Sequence, residues 1–157
     1  MGKKTDRLRP EADREPRTQY AALPWRRGDG GVEMLLITSR ETRRWVIPKG
    51  WPMKDRDAAD AAAQEAFEEA GVVGRADHKP LGVYHYDKRL RSGRLQHVRV
   101  MVFGLEVTEE RDIWPEMVER DRRWIAPAGA AGLVDEPELR ALLAKFKPKA
   151  GGSGSPG

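Results

Sequence analysis

The sequence predicts an α/β domain with a mixed β-sheet, and three observations predict it. Several short runs rich in Val, Leu, Ile and aromatic residues, each bounded by Gly, Pro or Asp, read as strands. An alanine-rich run at 57–70 contains neither glycine nor proline and reads as a helix. A second helical pattern at 139–146 puts Leu139, Leu142, Leu143 and Phe146 on one side. With 157 residues the chain is long enough for one domain with a real core.

Each element follows from local chemistry. Residues 1–16 are polar, charged and proline-punctuated, and are expected to be disordered. Residues 19–25 start a strand in which Pro24 implies an edge or a bulge. Residues 26–31 form a turn, 32–38 a buried strand and 39–43 a polar loop. A short strand at 44–47 runs into Pro48-Lys49-Gly50. The helix then opens on Asp57 as N-cap, with Asp60 in its first turn, and Gly71 sits where a left-handed C-cap belongs. Residues 72–74 lead into a connector, 80–88 form a strand and 91–94 a turn. The strongest strand spans 96–107, with Val98, Val100, Val102 and Gly104 on one face. A loop at 108–112 and a strand at 122–125 precede the last helix, near whose start Pro137 stands. Residues 148–157 are expected to be a flexible tail, which leaves a domain at 17–147.

Composition narrows the function. No cysteine is present, so neither disulfides nor thiolate metal sites are available. No apolar run approaches a membrane span and no signal-peptide pattern appears, so a cytoplasmic protein without a membrane partner is expected. Lys and Arg total 29 against 25 Asp and Glu, a net charge of +4. That charge is clustered: Arg40, Arg43, Arg44, Lys49, Lys54 and Arg56 form one group, and Lys88, Arg89, Arg91 and Arg94 another. Such patches attract nucleotides, polyphosphates or nucleic acid. No RNA-recognition signature accompanies them, so neither RNA nor DNA is the expected partner.

The end of the first helix breaks two local rules at once. Glu65, Glu68 and Glu69 share a face at i, i+3 and i+4, where like charges repel by roughly 0.2–0.5 kcal/mol per pair. They also occupy the last turns, where the helix dipole favours cations. A solvated acidic surface is the ordinary explanation for three glutamates. Two violations in one place, with a Pro-Lys-Gly turn before and a glycine after, point instead to function. A hard divalent cation would cancel both penalties, because carboxylate oxygens suit Mg²⁺ or Mn²⁺.

The spacing resembles the Nudix box, Gly-x5-Glu-x7-Arg-Glu-U-x-Glu-Glu-x-Gly-U, with U aliphatic. Gly50, Glu65, Ala66, Glu68, Glu69, Gly71 and Val72 fall in register. Arg56 stands where that family has its first glutamate, and Gln64 where it has arginine. In the family those two side chains brace the loop against the helix. The resemblance covers 18–147 and implies a Nudix-type α/β/α sandwich with a loop-helix-loop catalytic box. It implies a phosphoanhydride hydrolase using Mg²⁺ or Mn²⁺, held by Glu65, Glu68, Glu69 and the Gly50 carbonyl. The same three glutamates would be catalytic, without separating ligand from base.

Residues 45–50 before the box, and Trp114-Pro115-Glu116 with Arg123-Trp124 after it, resemble the diphosphoinositol polyphosphate and dinucleoside polyphosphate phosphohydrolase branch. The expected partner is therefore a polyphosphorylated small molecule. Ser39, Arg40, Arg44, Lys49, His85 and Arg94 are the candidate substrate contacts. Trp45 and Trp124 read as core or as stacking surfaces, and Glu116 or Glu119 as a supplementary base. Two alternatives stay open. One is a catalytically weak Nudix module that binds a nucleotide and regulates a partner, which Arg56 and Gln64 favour. The other is a pyrophosphatase acting on an NTP or ADP-ribose.

Overall fold

One long strand organises the sheet. In a computed structural model that describes residues 16–148, β1 (Arg17–Gly28) pairs in parallel with β7 (Leu95–Glu110) along one edge. Along its other edge it pairs antiparallel first with β4 (Lys49–Gly50) and then with β2 (Gly31–Thr38). β3 (Trp45–Val46) and β8 (Arg122–Ile125) both join β2. β6 (Gly82–Arg89) pairs with the first half of β7 and β5 (Val72–Ala76) with the second. The sheet is therefore mixed, with eight strands.

Alternate residues of the pleat face opposite layers. Ala21, Leu23, Met34, Leu36, Val98, Val100 and Val102 pack toward α2 (Pro127–Leu133) and α3 (Pro137–Lys145) through Ala130, Leu139 and Leu143. Ala22, Leu35, Ile37, Phe103 and Leu105 pack toward α1 (Ala58–Ala70) through Ala59, Ala62, Ala66 and Ala70. The result is an α/β domain with a mixed sheet, as the residue patterns predict, layered as the α/β/α sandwich that the resemblance implies. Alanines on the buried face of α1 let that helix sit close on the sheet, which brings its last turn to β4.

Five local expectations change. The turn expected at 26–31 shrinks to residues 29–30, because Arg26, Arg27 and Gly28 pair with Glu33, Val32 and Gly31. Pro24 lies in a central strand, not at an edge. The Ala22 N–H donates to the Pro48 carbonyl at 3.0 Å, and two residues on Pro24 presents the same edge. There β4 has ended and the β2 register starts at Trp25, so the missing N–H leaves no ladder bond unmade. Residues 108–110 extend β7 instead of looping, because β5 pairs with them: Val72 stands opposite Glu110. β5 itself replaces the expected connector. α2, with two glycines in seven residues, carries too weak a propensity to be read locally; it forms because Ala130 and Ala131 are buried. The expected disorder at 1–16 and flexible tail at 148–157 lie almost entirely outside the described residues.

Candidate active site

α1 starts and ends as its residues dictate. Asp57 caps it by accepting the Asp60 N–H at 2.9 Å, and Gly71 ends it at φ 71°. A Cβ on Gly71 would come within 2.6 Å of the Trp114 ring, so both conformation and contact demand glycine. The terminal carbonyls are satisfied from outside the helix. The Glu116 N–H donates to Glu68 O at 3.1 Å, the Trp114 indole to Glu69 O at 3.1 Å, and Arg122 to Ala70 O at 2.8 Å. The last turn of α1 has no basic residue of its own. Arg122 supplies the cation that the helix dipole favours, with its guanidinium 3.9 Å from the centre of the Trp114 ring.

The same arrangement buries the end of the acidic face. The Glu69 side chain is 11% exposed and faces Arg120, itself 8% exposed, at 3.7 Å. Arg120 also bonds the Glu116 carboxylate at 2.8 Å and the Thr38 carbonyl at 3.0 Å. The Lys49 N–H donates to Glu69 at 3.3 Å. Gly50 lies directly against Glu65: a Cβ there would meet the Glu65 Oε2 at 2.1 Å. Glu65 and Glu69 face each other within hydrogen-bonding reach. Burial, then the neighbouring Glu69, Glu68 and Glu116 charges, pushes the Glu65 carboxyl up to about 8. Burial also raises Glu69, against the pull of Arg120 and Lys49. Burial lowers Lys49, whose ammonium sits 4.9 Å over the Tyr86 ring.

These groups border a cavity of about 500 Å³. Glu65, Glu69, Glu116, Gly50 and Arg120 line it, and so do Ser39, Arg40, Arg44, Lys49, Lys88 and Arg89, with Glu41 and Asp87 among them. Four of the expected substrate contacts, Ser39, Arg40, Arg44 and Lys49, thus meet in one space. His85 and Arg94 are outside its lining. His85 is exposed on β6 and holds Glu138 of α3 at 3.0 Å, and Arg94 stands in the β6–β7 turn. Arg44 is already paired with Glu136 at 3.1 Å and Asp135 at 3.4 Å. Glu68 is also outside the lining and accepts the Gln64 amide at 2.8 Å. Gln64 therefore turns along the helix to Glu68, while Arg56 is exposed. Trp45 packs against the core, and Trp124 packs beside α1 with Arg26 4.0 Å over its ring. Glu119 pairs with Arg40 at 3.4 Å. Arg120, Gln19, Trp51 and Tyr86 are the site residues that sequence reasoning missed. Arg120 carried a weak signal: a helix with three terminal glutamates and no basic last turn needs cations from elsewhere.

The donor set fits a hard divalent cation. Burial raises both the Glu65 and Glu69 carboxyls, and the Glu69 charge raises Glu65 further; buried carboxylate oxygens of this kind are what a hard divalent cation takes, with release of their protons. A second acidic group lies at the opposite end of α1, where Asp57, Asp60 and exposed His78 bring candidate ligand atoms within 4.8 Å of one another. His78 is there 3.4 Å from Asp57 and 3.5 Å from Asp60, the geometry of an exposed ion pair.

Comparison with known proteins agrees with this geometry. Residues 16–149 match the NUDIX domain model. The chain is 31% identical to Nudix hydrolase 12, mitochondrial, of Arabidopsis thaliana, over 93% of this chain and 80% of that one. It spans only 50% to 59% of three other Arabidopsis relatives, which are longer. It is 31% identical to diphosphoinositol polyphosphate phosphohydrolase 2 of Mus musculus, over 86% of this chain and 74% of that one. In fold it is similar to C. elegans Ap4A hydrolase, with a TM-score of 0.60 at 20% identity, covering 84% of this chain and 96% of that structure. The chain belongs to the Nudix family and is an enzyme of the pyrophosphohydrolase kind. Among the described residues no helix is long and apolar enough to cross a membrane.

Proposed function

We propose that this protein hydrolyses a phosphoanhydride bond in a polyphosphorylated small molecule, of the dinucleoside polyphosphate or diphosphoinositol polyphosphate class. One observation carries the reading: a single cavity brings the acidic Glu65, Glu69 and Glu116 together with the basic Arg40, Lys49, Lys88 and Arg89, among which Glu41 and Asp87 also stand. The acidic groups suit a divalent cation and the basic groups suit phosphates that do not react. Mg²⁺ or Mn²⁺ would be held by Glu65, Glu69 and the Gly50 carbonyl, with Glu68, which lies outside the cavity lining beside Gln64, as a further ligand only if it turns inward. When bound, such a cation polarises a phosphoryl oxygen and makes a nearby water more acidic.

The chain's own groups do the rest. Arg120 and the Lys49 N–H hold Glu69 in place. Glu65, whose carboxyl burial and the neighbouring Glu69, Glu68 and Glu116 charges raise to about 8, would release its proton to solvent on taking up a cation. Gln64 orients Glu68 in place of the expected brace to residue 56. Arg44 orders the cavity wall through Glu136 and Asp135, and Arg40 is likewise paired with Glu119, so both would bind phosphate only in exchange for those partners. A cytoplasmic setting belongs to this proposal, although Nudix hydrolase 12 is named a mitochondrial protein.

The test is a panel of dinucleoside polyphosphates, diphosphoinositol polyphosphates, NTPs, ADP-ribose and NADH, with product identification in Mg²⁺ and in Mn²⁺. Highest kcat/KM on the first two classes is expected. Preference for ADP-ribose or NADH would overturn the substrate class. Tight binding without turnover on the whole panel would favour the regulatory module instead.

A further inference from the structure

The cavity beside the glutamates is lined mainly by polar and charged residues, with Val46, Trp51 and Tyr86 among them. Of the described residues that line it, Trp51 and Tyr86 alone carry aromatic rings. The Tyr86 ring is already engaged: Lys49 lies over it, and its hydroxyl donates to Gln19 at 2.9 Å. Trp51 differs. It follows Gly50 directly, so the backbone that packs on Glu65 also carries this indole to the cavity. Its side chain leaves 37% of the residue exposed, among the few large apolar groups of this domain left open to solvent. The Arg17 guanidinium sits 5.2 Å from its ring centre, and Arg17 does not line the cavity. One side of the indole is thus supported by a cation, and the ring still borders the space where substrate would lie.

An exposed ring fixed next to phosphate-binding cations is what a nucleobase needs. Stacking tolerates any base because every base has a π-face, and arginine on the far side reinforces it. An inositol ring surrounded by phosphates offers no such face. We propose that Trp51 is a specificity-determining residue that stacks on the base of a nucleoside polyphosphate, making the substrate nucleotidic. The proposal rests on reading this cavity as the substrate site, and the test separates the two.

Binding is measured by calorimetry in Mg²⁺ with a methylene-bridged nucleoside triphosphate and with the same methylene-bridged triphosphate lacking the nucleoside. Wild type, Trp51→Ala and Trp51→Phe are compared. Loss of one stacked base weakens binding by about tenfold or more. Trp51→Ala should therefore weaken the nucleoside probe at least that much more than the bare triphosphate. Trp51→Phe should recover most of the loss. In wild type the nucleoside probe should also quench tryptophan emission, and Trp51→Phe should remove that quenching. Equal weakening of both probes, no weakening, or no preference for the nucleoside probe in wild type would each overturn the assignment. Turnover is recorded in parallel. If wild type hydrolyses no polyphosphate yet the binding results hold, the hydrolase reading fails and the stacking role stands. If it hydrolyses polyphosphates and Trp51→Ala lowers kcat/KM equally for nucleoside and diphosphoinositol substrates, the stacking role fails alone.

Discussion

At the scale of single residues, Glu69 shows how the site resolves its own repulsion. A buried carboxylate beside Glu65 and Glu116 would be costly alone, but Arg120 reaches it from outside the helix. Arg120 is thus a positioning residue. Its replacement by Met should lower cation affinity or turnover by roughly 10–100-fold, as loss of a partner that orients metal ligands does. Calorimetric titration with Mn²⁺ checks this, and rescue by Lys should be partial because only the fork of arginine reaches Glu69, Glu116 and Thr38 O together. Glu65 gives a pH prediction for the cation-free protein. Below its ordinary value of 4.5 the carboxyl is protonated folded and unfolded alike and contributes nothing. Between 4.5 and about 8 the unfolded chain ionises while the folded one keeps its proton, so stability falls as pH rises across that window. Melting temperature in EDTA should drop from pH 5 toward about 8, and Glu65→Gln should flatten the slope. Glu65, Glu69 and the glycines at 50 and 71 were legible as parts of one place because their residue types break or satisfy local rules, whereas Glu68, read with them, turns to Gln64 outside the cavity lining. Arg120 and Trp51 were not legible, because a surface-type Arg and a Trp after a turn acquire meaning only from what the fold places beside them.

At the scale of elements, the contact between β4 and the last turns of α1 is the joint that makes the site. Gly50 has room for no side chain, since Glu65 occupies the position a Cβ would take. Gly50→Ala should destabilise by about 1–3 kcal/mol, as overpacking does, and should weaken cation binding more than its effect on melting alone explains. Gly93→Ala is the control: nothing lies within 4 Å of a Cβ there, although its φ of 94° imposes local backbone strain. α1 and β7 were legible because their patterns are long and their caps explicit. β4 and β5 were not, since a two-residue strand has no periodicity and β5 exists only because β7 runs on to Glu110 and pairs with it. Pro24 misled for the same reason. Its tolerance depends on the gap between two partners of β1, which no local pattern reveals.

At the scale of the whole molecule, a modest net charge conceals a highly charged cavity: carboxylates gather where α1 ends, while the 39–44 loop and β6 bring Arg40, Arg44, Lys88 and Arg89 together with Glu41 and Asp87. Substrate binding that rests on those basic groups should weaken with salt, because exposed charges are screened beyond about 8 Å at physiological ionic strength. The ratio of kcat/KM for a dinucleoside polyphosphate to that for ADP-ribose should fall between low and high salt, and fall less in Lys88→Ala. An unchanged ratio would reduce the basic groups to solubilising surface. The most direct test of the central claim is phosphoanhydride hydrolysis of a dinucleoside polyphosphate followed with Mg²⁺ and then with excess EDTA, in wild type, Glu65→Gln and Glu69→Gln. The account predicts turnover in wild type that stops on chelation and returns with Mg²⁺, and that is largely absent from both folded variants. Turnover indifferent to EDTA, or full activity in both variants, would contradict it.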